Sequence, residues 1–473
     1  MKVLLINPPI DNIIETEMPL LVRQNEGIFP PLGLLYIAAY LNKETGYAVE
    51  VLDLIAEKKS YEEIERFIRN YRPDIVGITS HTHNLIDVIL VAEIVKKIDK
   101  GIYVCLGGPH VSVFPRESIG INSVDFAIPN EGEESFSELI KSIEEKKDLE
   151  QVKGIFFKKE GRIINTAGRE GVKDLDALPF PDRRKLRYKK YHSVLGSGGA
   201  MATIATSRGC PYECVFCSTP RGPYRARSPE NVVDEMKECL DLGIKEVHFI
   251  DDTFNADPDR VVKICAEIKR RQLKIKWSFR GRVDKITKSL LVNSRQAGCY
   301  RIHLGVETSS NEGLSGLRKG FTIEQIKQAF KLTKDAGIYA IVYFLIGCPH
   351  ERTKEDILKT INFSKEIKPD FALFNILTPY PATKLYEEGL VKGILKKDYW
   401  KEFALNPNKG FKPPLWEEWL SRDELRYLLN LAYRRFYIRP GFIFKEICSL
   451  KSLDALLRRF KTSWDILRLP SKK

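Results

Sequence analysis

Short apolar runs alternate with amphipathic stretches along the first 150 residues. Five apolar runs predict buried strands, at residues 2–7, 48–53, 75–79, 102–107 and 124–128. The stretches between them carry apolar side chains at helical spacing, near residues 32–43, 61–70, 85–97 and 135–145. Strands that alternate with helices in this way predict an α/β fold with a doubly wound parallel sheet. Ligands of such sheets bind at the carboxyl ends of the strands.

A second strand–helix series occupies the middle of the chain. It predicts strands at residues 203–206, 246–250, 276–280, 301–305, 339–346 and 371–377. Helical patterns lie between them, including residues 229–242 and 257–270. Six such units predict a partial (β/α)6 barrel, with its site at the carboxyl ends of the strands as in complete barrels.

Pro and Gly are dense between the two series, and this density is typical of a linker. A hairpin-like sequence lies within it, at residues 154–166. We therefore predict four segments: a doubly wound domain at 1–150, a linker with a hairpin at 151–200, a partial barrel at 201–396 and a helical C-terminal region at 397–473. A chain of 473 residues is also too long for one hydrophobic core.

Composition narrows the class of protein. With 43% hydrophobic and 29% charged residues, disorder is excluded as the main state. Nine scattered cysteines, an odd number, do not form a disulfide framework. No signal-peptide pattern opens the chain, and no uncharged apolar run approaches the length of a membrane span. We expect a cytoplasmic protein.

The net charge of +13 is concentrated at the C-terminus, where residues 421–473 hold 13 Lys and Arg against 5 Asp and Glu. Within it, residues 442–469 interleave basic with apolar side chains at broadly helical spacing. This pattern predicts a basic amphipathic helix in peripheral contact with the inner face of a membrane, unless the helix packs on the barrel. A nucleic-acid-binding protein would need stacking aromatics along a basic groove, so we expect no nucleic acid partner.

Three cysteines lie in the loop after the first barrel strand and are candidate metal ligands. Cys210, Cys214 and Cys217 form the pattern CxxxCxxC. Three thiolates this close together bind metal more readily than they pack a core. A structural zinc site would need a fourth ligand, which neither a second cysteine pair nor a nearby histidine supplies. Three cysteines leave one iron of a [4Fe-4S] cluster open to an external ligand.

This pattern, with the aromatic Phe216 before the last cysteine, resembles the radical S-adenosylmethionine superfamily. The resemblance implies that the three cysteines hold a [4Fe-4S] cluster and that S-adenosylmethionine chelates its open iron. Reductive cleavage would then give methionine and a 5′-deoxyadenosyl radical, so an electron donor such as ferredoxin or flavodoxin is an expected partner. The cofactor carries the hard chemistry and the barrel positions it.

The resemblance also assigns residues to S-adenosylmethionine, Phe216 among them. Asp251 and Asp252 end the second barrel strand, where relatives carry a Gly-Gly-Glu that binds the methionyl ammonium. Carboxylates suit that charge, although one of the two could instead cap the next helix. Glu307 ends the fourth strand and is expected to face the cofactor, with a structural salt bridge as the alternative.

Three further positions complete this set. Arg280 and Arg282 close the third strand and suit the cofactor's carboxylate or ribose, with a solvated basic face as the alternative. The backbone at Gly347, after the fifth strand, is expected to contact adenine.

The first domain resembles the cobalamin-binding domain that precedes the barrel in the cobalamin-dependent branch. The segments that carry this likeness are Asn7-Pro8-Pro9, residues 30–36, Gly107-Gly108-Pro109-His110 and Glu131-Gly132-Glu133. With later motifs, it extends over about residues 1–440. It implies that cobalamin is bound by Pro8, Ser80, Thr82, Gly107, Gly108 and Glu131.

The chain also departs from family patterns. The DxHxxG signature, whose histidine ligates cobalt from below, is absent, as it commonly is in this branch. We therefore expect no histidine below the cobalt, with the loop residues His81 and His83 as the alternative. After the fifth and sixth barrel strands, residues 347–351 read GCPHE instead of GLPGE and residues 379–383 read PYPAT instead of PYPGT. The family patterns therefore do not assign the substrate contacts at the barrel mouth.

Three functions follow from these patterns. The leading one is a cobalamin-dependent radical enzyme that methylates an unactivated carbon of a small-molecule or lipid substrate. The second keeps the same cofactors in a cyclase, ring-contraction or oxidation reaction, as other members of the branch do. The third, of another class, is a nucleic-acid-binding iron–sulfur protein.

Overall fold

The computed structural model describes residues 1–17, 27–193, 196, 198–219, 222–440 and 442. Most of the predicted basic tail, residues 442–469, therefore lies outside the described residues, and Phe442 alone is placed. Among the described helices, none is both long and apolar enough to cross a membrane.

The first sheet has seven strands in the order β2-β1-β3-β4-β5-β6-β7. Five are parallel and carry the buried apolar runs of the sequence: β1 (Lys2–Asn7), β2 (Ala48–Asp53), β3 (Ile75–Thr79), β4 (Tyr103–Gly107) and β5 (Phe126–Ala127). The predicted hairpin forms β6 (Phe156–Lys159) and β7 (Arg162–Asn165) and extends this sheet, with β6 antiparallel to β5 and β7 antiparallel to β6.

Helices cover both faces of the first sheet, as a doubly wound fold requires. They are α1 (Leu32–Glu44), α2 (Leu54–Glu57), α3 (Tyr61–Tyr71), α4 (Leu85–Ile98), α5 (Pro109–Val113), α6 (Pro115–Gly120) and α7 (Glu133–Glu144). Apolar side chains fill a separate core on each face of the sheet. Helix α3 shows why these segments are helical: Ser60 caps its first turn reciprocally with Glu63, and Ile64 and Ile68 face the core.

The second sheet has six parallel strands, and each pairs with the next one along the chain. The strands are β8 (Met201–Ile204), β11 (Glu246–Phe249), β12 (Lys276–Gly281), β13 (Cys299–Glu307), β14 (Tyr339–Ile346) and β15 (Phe371–Ile376). This is the order of a partial barrel, and the predicted α/β fold class is confirmed. Strand β13 is longer at both ends than predicted, because its pairing with β14 continues through a register shift near Glu307.

A short ladder closes the cysteine loop. Strand β9 (Ser207–Arg208) pairs antiparallel with β10 (Arg225–Ala226), and the cysteines lie between the two strands. The ladder therefore ties both ends of the loop to the carboxyl end of β8.

Six outer helices of the barrel pack on one face of the second sheet, in a single large core. They are α8 (Pro229–Asp241), α9 (Pro258–Arg270), α10 (Lys288–Gln296), α11 (Asn311–Gly316), α12 (Ile323–Asp335) and α13 (Lys354–Glu366). Helix α14 (Lys384–Val391) follows β15 and packs in two smaller clusters through Leu385 and Tyr386. The C-terminal region adds α15 (Tyr399–Leu405) and α16 (Arg422–Tyr437). The hydroxyls of Tyr433 and Tyr437 donate to the Phe374 and Ala372 carbonyls, so α16 is fixed against β15 at the open edge of the barrel.

Candidate active site

A cavity of about 320 Å³ lies where the carboxyl ends of the two sheets face each other. The first sheet contributes the ends of β3 and β4, helix α1 and the loop before α7; the second contributes Ala205, Arg208 and Ile250. Its wall is largely apolar and rich in glycine, including Gly33, Gly77, Gly107, Gly108 and Gly132. Such a wall lets a large ligand approach the backbone closely.

The predicted cobalamin residues cluster at this edge of the first sheet. Gly107 and Gly108 line the cavity. Ser80 is fully buried, and its backbone N–H and hydroxyl both donate to the Gly107 carbonyl at 2.8 Å. Pro8 is buried at the end of β1, and the Thr82 hydroxyl lies 3.0 Å from His110 Nδ1. Gly108 has a φ of +96°, and a Cβ there would lie 2.8 Å from the Ser80 carbonyl, so only glycine fits this turn.

Glu131 lines the same cavity but also forms ion pairs with the other sheet. One carboxylate oxygen lies 2.9 Å from Arg208, and Arg225 donates to the carboxylate as well. Arg208 reaches Glu133 at 2.6 Å. Burial raises the pKa of Glu131, but the hydrogen bond from Arg225 and the charge of Arg208 outweigh it, and the pKa lies below its usual value. We call these four residues, Glu131, Glu133, Arg208 and Arg225, the ionic bridge; it joins the two sheets beside the cysteine loop.

The three cysteines are free thiols on one loop. Cys210 and Cys214 are half-buried and Cys217 is exposed. The loop begins at Gly209, whose φ is +80° and whose Cβ would lie 2.7 Å from the Pro223 carbonyl, so the sharp turn after β9 requires glycine. Cys210 Sγ lies 3.4 Å from Thr253 Oγ1, at the end of the second barrel strand.

In the described part of the chain, no three His, Cys, Asp or Glu side chains converge on one metal-ion position. A tetrahedral zinc ion needs ligand sulfurs within roughly 3.8 Å of each other, given Zn–S bonds of about 2.3 Å. The thiols of a [4Fe-4S] cluster each bind a different iron and so stand further apart. Three cysteine thiols on one loop are the donor set that a [4Fe-4S] cluster takes from protein.

Two buried cations flank the cysteine loop. Lys319 is 6% exposed, and its Nζ lies 5.7 Å from the centre of the Phe216 ring. Arg282 is 7% exposed and stacks at 3.6 Å on Tyr212, so it is not on a solvated basic face. Burial raises the pKa of the Cys214 thiol, and both cations oppose that rise. The loop thus lies in a positive environment, which stabilises thiolates.

Glu307 adopts a strained backbone conformation at the end of β13. Its φ is +71°, and its carboxylate accepts from Lys319 Nζ at 3.0 Å. A Cβ at Gly305 would lie 2.4 Å from that carboxylate, so the pair depends on glycine there. Glu307 therefore forms a buried salt bridge, and its predicted contact with the cofactor stays a prediction. Strain of this kind in a non-glycine residue is typical of functional sites.

The two aspartates at the end of β11 have different surroundings. Asp251 is 2% exposed and accepts hydrogen bonds from the Thr206 N–H, the Thr206 hydroxyl and the Ser207 hydroxyl. It therefore holds the connection between β8 and β9. Asp252 is exposed. Neither caps the next helix, because Asp257 occupies that position.

The other predicted S-adenosylmethionine residues lie at the same end of the barrel. Arg280 is exposed on β12. Phe216 is half-buried and packs on the core that contains Val215 and Leu345. Gly347 follows β14 with a φ of +72°, and a Cβ there would lie 2.8 Å from Leu425 of α16.

The loop histidines do not form a common site. His83 packs edge-on against Tyr380 and Trp400 of the C-terminal half, and His81 is exposed. Burial and the neighbouring His81 lower the pKa of His110 to about 4. His350, in the departure from GLPGE, lies 2.8 Å from the Thr308 hydroxyl.

Sequence reasoning missed Arg208, Arg225 and Lys319. Arg208 directly precedes the Gly209-Cys210 turn, and Lys319 precedes Gly320 in a family motif, but neither position indicates which carboxylate the side chain meets. Those partners come from other strands and only the fold brings them together.

Comparison with known proteins matches both halves of the chain to known families. Residues 204–364 match the model of the radical SAM superfamily, and residues 18–140 match that of the B12 binding domain. The uncharacterized methyltransferase PH0819 of Pyrococcus horikoshii is 33% identical over 94% of this chain and 95% of its own length. The chain belongs to the cobalamin-dependent branch of the radical SAM family. It is an enzyme of the methyltransferase type, and its cofactors are a [4Fe-4S] cluster, S-adenosylmethionine and cobalamin.

Further relatives differ in what their names describe. The cytidylyl-2-hydroxyethylphosphonate methyltransferase of Streptomyces wedmorensis is 25% identical over 83% of this chain and 82% of its own. The anaerobic magnesium-protoporphyrin IX monomethyl ester cyclase of Cereibacter sphaeroides is 29% identical over 88% of this chain and 68% of its own.

Solved structures show the same fold. OxsB, with aqua-cobalamin and S-adenosylmethionine bound, is 18% identical and matches 97% of this chain and 70% of its own, with a TM-score of 0.72. TsrM of Kitasatospora setae, with cobalamin and a [4Fe-4S] cluster bound, is 20% identical over 83% of this chain and 78% of its own, with a TM-score of 0.68.

Proposed function

We propose that this enzyme transfers a methyl group to an unactivated carbon of a small-molecule substrate, in the cavity between the two sheets. The observation that carries the proposal is the position of this cavity: cobalamin-side glycines line one wall, and Arg208 at the root of the cysteine loop lines the other. When bound, S-adenosylmethionine with the cluster supplies a 5′-deoxyadenosyl radical, and cobalamin carries the methyl group.

The residues of the cysteine loop hold the cluster in this proposal. Cys210, Cys214 and Cys217 bind three irons, and Phe216 packs between the loop and Lys319. The exposed Cys217 places the cluster near the surface. This position supports an electron donor such as ferredoxin or flavodoxin as a partner that docks there.

The barrel mouth binds S-adenosylmethionine. We assign Asp252 to its ammonium, Arg280 to its carboxylate and the backbone at Gly347 to adenine. Both Asp252 and Arg280 are exposed, and the Asp252 carboxylate accepts one weak hydrogen bond, at 3.4 Å from the Thr219 hydroxyl. Asp251 and Glu307 keep these elements in place, since their carboxylates already accept hydrogen bonds from the protein.

The first sheet binds cobalamin. Pro8, Ser80, Thr82, Gly107, Gly108 and Glu131 all lie at its carboxyl edge. Ser80 holds the Gly107 turn, and Glu131 holds that edge against the barrel. We keep the segments 1–150, 151–200, 201–396 and 397–473 as the proposed domain boundaries, with the hairpin of the second segment contributing strands to the first domain.

The test is anaerobic turnover of reconstituted enzyme with S-adenosylmethionine deuterated in its methyl group, a strong reductant and an extract of the source cells. We expect 5′-deoxyadenosine, and a product that gains one deuterated methyl group. The Cys210→Ala/Cys214→Ala/Cys217→Ala variant is the control and should give neither.

A second function is favoured by the cyclase of C. sphaeroides among the relatives. It uses the same cofactors without methyl transfer. Formation of 5′-deoxyadenosine, together with a modified product that contains no deuterium, would establish it.

A cytoplasmic location, with peripheral contact at the inner face of a membrane through the basic tail, remains part of the proposal. The composition of residues 421–473 supports it.

A further inference from the structure

The second sheet has one apolar and one polar face. Alternate side chains of its strands, such as Val247 and Phe279, pack on the outer helices. The residues between them point to the concave inner face, and many are polar: Thr203 on β8, His248 on β11, Ser278 on β12, His303 on β13 and Tyr343 on β14. Hydrogen bonds link this set, from His248 Nδ1 to the Ser278 hydroxyl at 2.9 Å and from His303 Nδ1 to the Tyr343 hydroxyl at 2.7 Å.

Two buried polar atoms of this face have no hydrogen-bond partner among the described residues: His303 Nε2 and Thr203 Oγ1. Thr203 is 2% exposed. Buried polar groups normally have a hydrogen-bond partner. Two buried atoms without one on the same face of the sheet therefore point to a ligand that binds there. The two histidine rings are close, with centroids 5.2 Å apart, so the row is continuous across the sheet.

The charge state of this row defines what it can bind. Burial and the nearby Arg280 and Arg301 lower the pKa of His248 to about 3 and hold the pKa of His303 well below its usual value. Both rings are therefore neutral near pH 7. When the Tyr343 hydroxyl donates to His303 Nδ1, the proton of the neutral ring lies on Nε2, which then needs an acceptor.

Arg280 adds a positive charge beside that donor. It pairs with His303 in the register of β12 and β13, and its side chain is exposed. Its charge also acts on the neighbouring Asp252 carboxyl, whose pKa it lowers against the effect of burial. A guanidinium and an imidazole N–H side by side form a site for an oxygen that carries negative charge.

We propose that the substrate lies against this inner face and places a carboxylate or phosphate-type oxygen on His303 Nε2, beside Arg280. The proposal rests on the proposed function and names its substrate class: a small polar acid and not a hydrocarbon. A hydrocarbon would leave His303 Nε2 and Thr203 Oγ1 buried and unpaired. Arg280 has five N–H donors, so it can serve this oxygen as well as the carboxylate of S-adenosylmethionine.

The test is ligand retention by full-length reconstituted enzyme, which needs no turnover. The protein is incubated with two pools from the same cells, the anion-exchange-retained metabolites and the organic-solvent-extracted lipids, then desalted, and the retained compounds are identified by mass spectrometry. His303→Phe replaces the imidazole by an aromatic ring without nitrogen atoms, and Tyr343→Phe removes the hydroxyl alone. His303→Gln restores a donor. Cluster, cobalamin and S-adenosylmethionine contents are measured for every variant.

We expect the wild type to enrich an acidic metabolite, and His303→Phe to retain at least about tenfold less of it, as expected for loss of a hydrogen bond to a charged group. Tyr343→Phe should retain an amount between those of the wild type and His303→Phe. His303→Gln should retain more than His303→Phe and less than the wild type. Enrichment of a lipid, equal retention by wild type and His303→Phe, or no enriched compound would each overturn the proposal. Loss of S-adenosylmethionine, cluster or cobalamin binding in the wild type would instead contradict the proposed function, so the two failures are distinguishable.

Discussion

Single residues decide how the cluster is held. The pattern CxxxCxxC identified Cys210, Cys214 and Cys217, because the three cysteines lie close together along the chain. The charges around them are not local: Lys319 comes from the loop after α11 and Arg282 from the end of β12. No pattern in the sequence could pair Lys319 with Glu307, since the two meet only after β13 bends near its register shift.

Replacing Cys210, Cys214 and Cys217 together with Ala should abolish the iron–sulfur absorbance of anaerobically reconstituted protein. The fold should persist, because these side chains lie on a surface loop and not in a core. Cys105→Ala is the matched control: this cysteine is buried in the first sheet, and its replacement should leave iron and sulfide content unchanged. Full iron content in the triple variant would refute the assignment.

Lys319→Met should make the reduction potential of the cluster more negative by tens of millivolts. A positive charge near the cluster stabilises the reduced form, and for a one-electron couple about 59 mV corresponds to a tenfold change in equilibrium constant. Removing Lys319 also leaves the Glu307 carboxylate unpaired, which acts in the same direction. The potential is measured by redox titration with electron paramagnetic resonance.

Two further variants separate charge from structure at this position. Lys319→Arg keeps the charge and should keep the potential. The double variant Lys319→Met/Glu307→Gln removes both charges and should return the potential toward that of the wild type. A potential unchanged in Lys319→Met would show that this cation has no electrostatic role.

At the scale of elements, hydrophobic periodicity located the strands of both sheets, because buried parallel strands are continuous apolar runs. It did not show that β6 and β7 extend the first sheet. Their residues read as a hairpin in a linker, and a hairpin pattern does not indicate which strand it will join. The ionic bridge was equally hidden, since Glu131 was assigned to cobalamin from a local motif alone.

Glu131→Gln should destabilise the contact between the two sheets by about 1–3 kcal/mol at pH 7, as expected for a partly buried charged hydrogen bond. The wild-type pKa of Glu131 lies below its usual value, so its stabilisation is present above the unfolded pKa. It is lost as the pH falls through the folded value. The difference in melting temperature between wild type and variant should therefore shrink as the pH falls below about 4.5.

Glu134→Gln is the matched control for the ionic bridge. Glu134 lies three residues further on, in the first turn of α7, but pairs with Arg169 at the surface, with its side chain 38% exposed. Surface pairs contribute about 0–1 kcal/mol, so its melting temperature should change little. An equal effect of the two variants would mean that Glu131 has no special role between the sheets.

At the scale of the whole molecule, the two cofactor-binding units were predictable because each has motifs in a fixed order along the chain. The absence of a histidine ligand on the lower face of cobalamin tests the branch assignment more strictly. We expect the cob(II)alamin form of the enzyme to show no nitrogen hyperfine splitting from an imidazole. His83 packs edge-on against Tyr380 and Trp400 of the C-terminal half. A clear imidazole signal that disappears in His81→Ala or His83→Ala would contradict this.

The basic tail determines whether the enzyme works at a membrane. Anionic lipids attract each Lys or Arg near the surface by about 1 kcal/mol, and an apolar helix face that no protein covers lies in the bilayer interface. We expect the full chain to sediment with anionic liposomes in a salt-sensitive way, and a truncation that ends at Pro440 to stay in the supernatant. Phe442 packs on Phe436 and Tyr437 of α16, so this residue is already held by protein. Equal, salt-insensitive recovery of both chains in the supernatant would show that the tail packs on the protein.

Sedimentation with liposomes would not by itself show that the substrate is a lipid, because an acidic substrate needs no bilayer. In that case the tail would bring the enzyme to the membrane surface, and the inner face of the barrel would still select an acid.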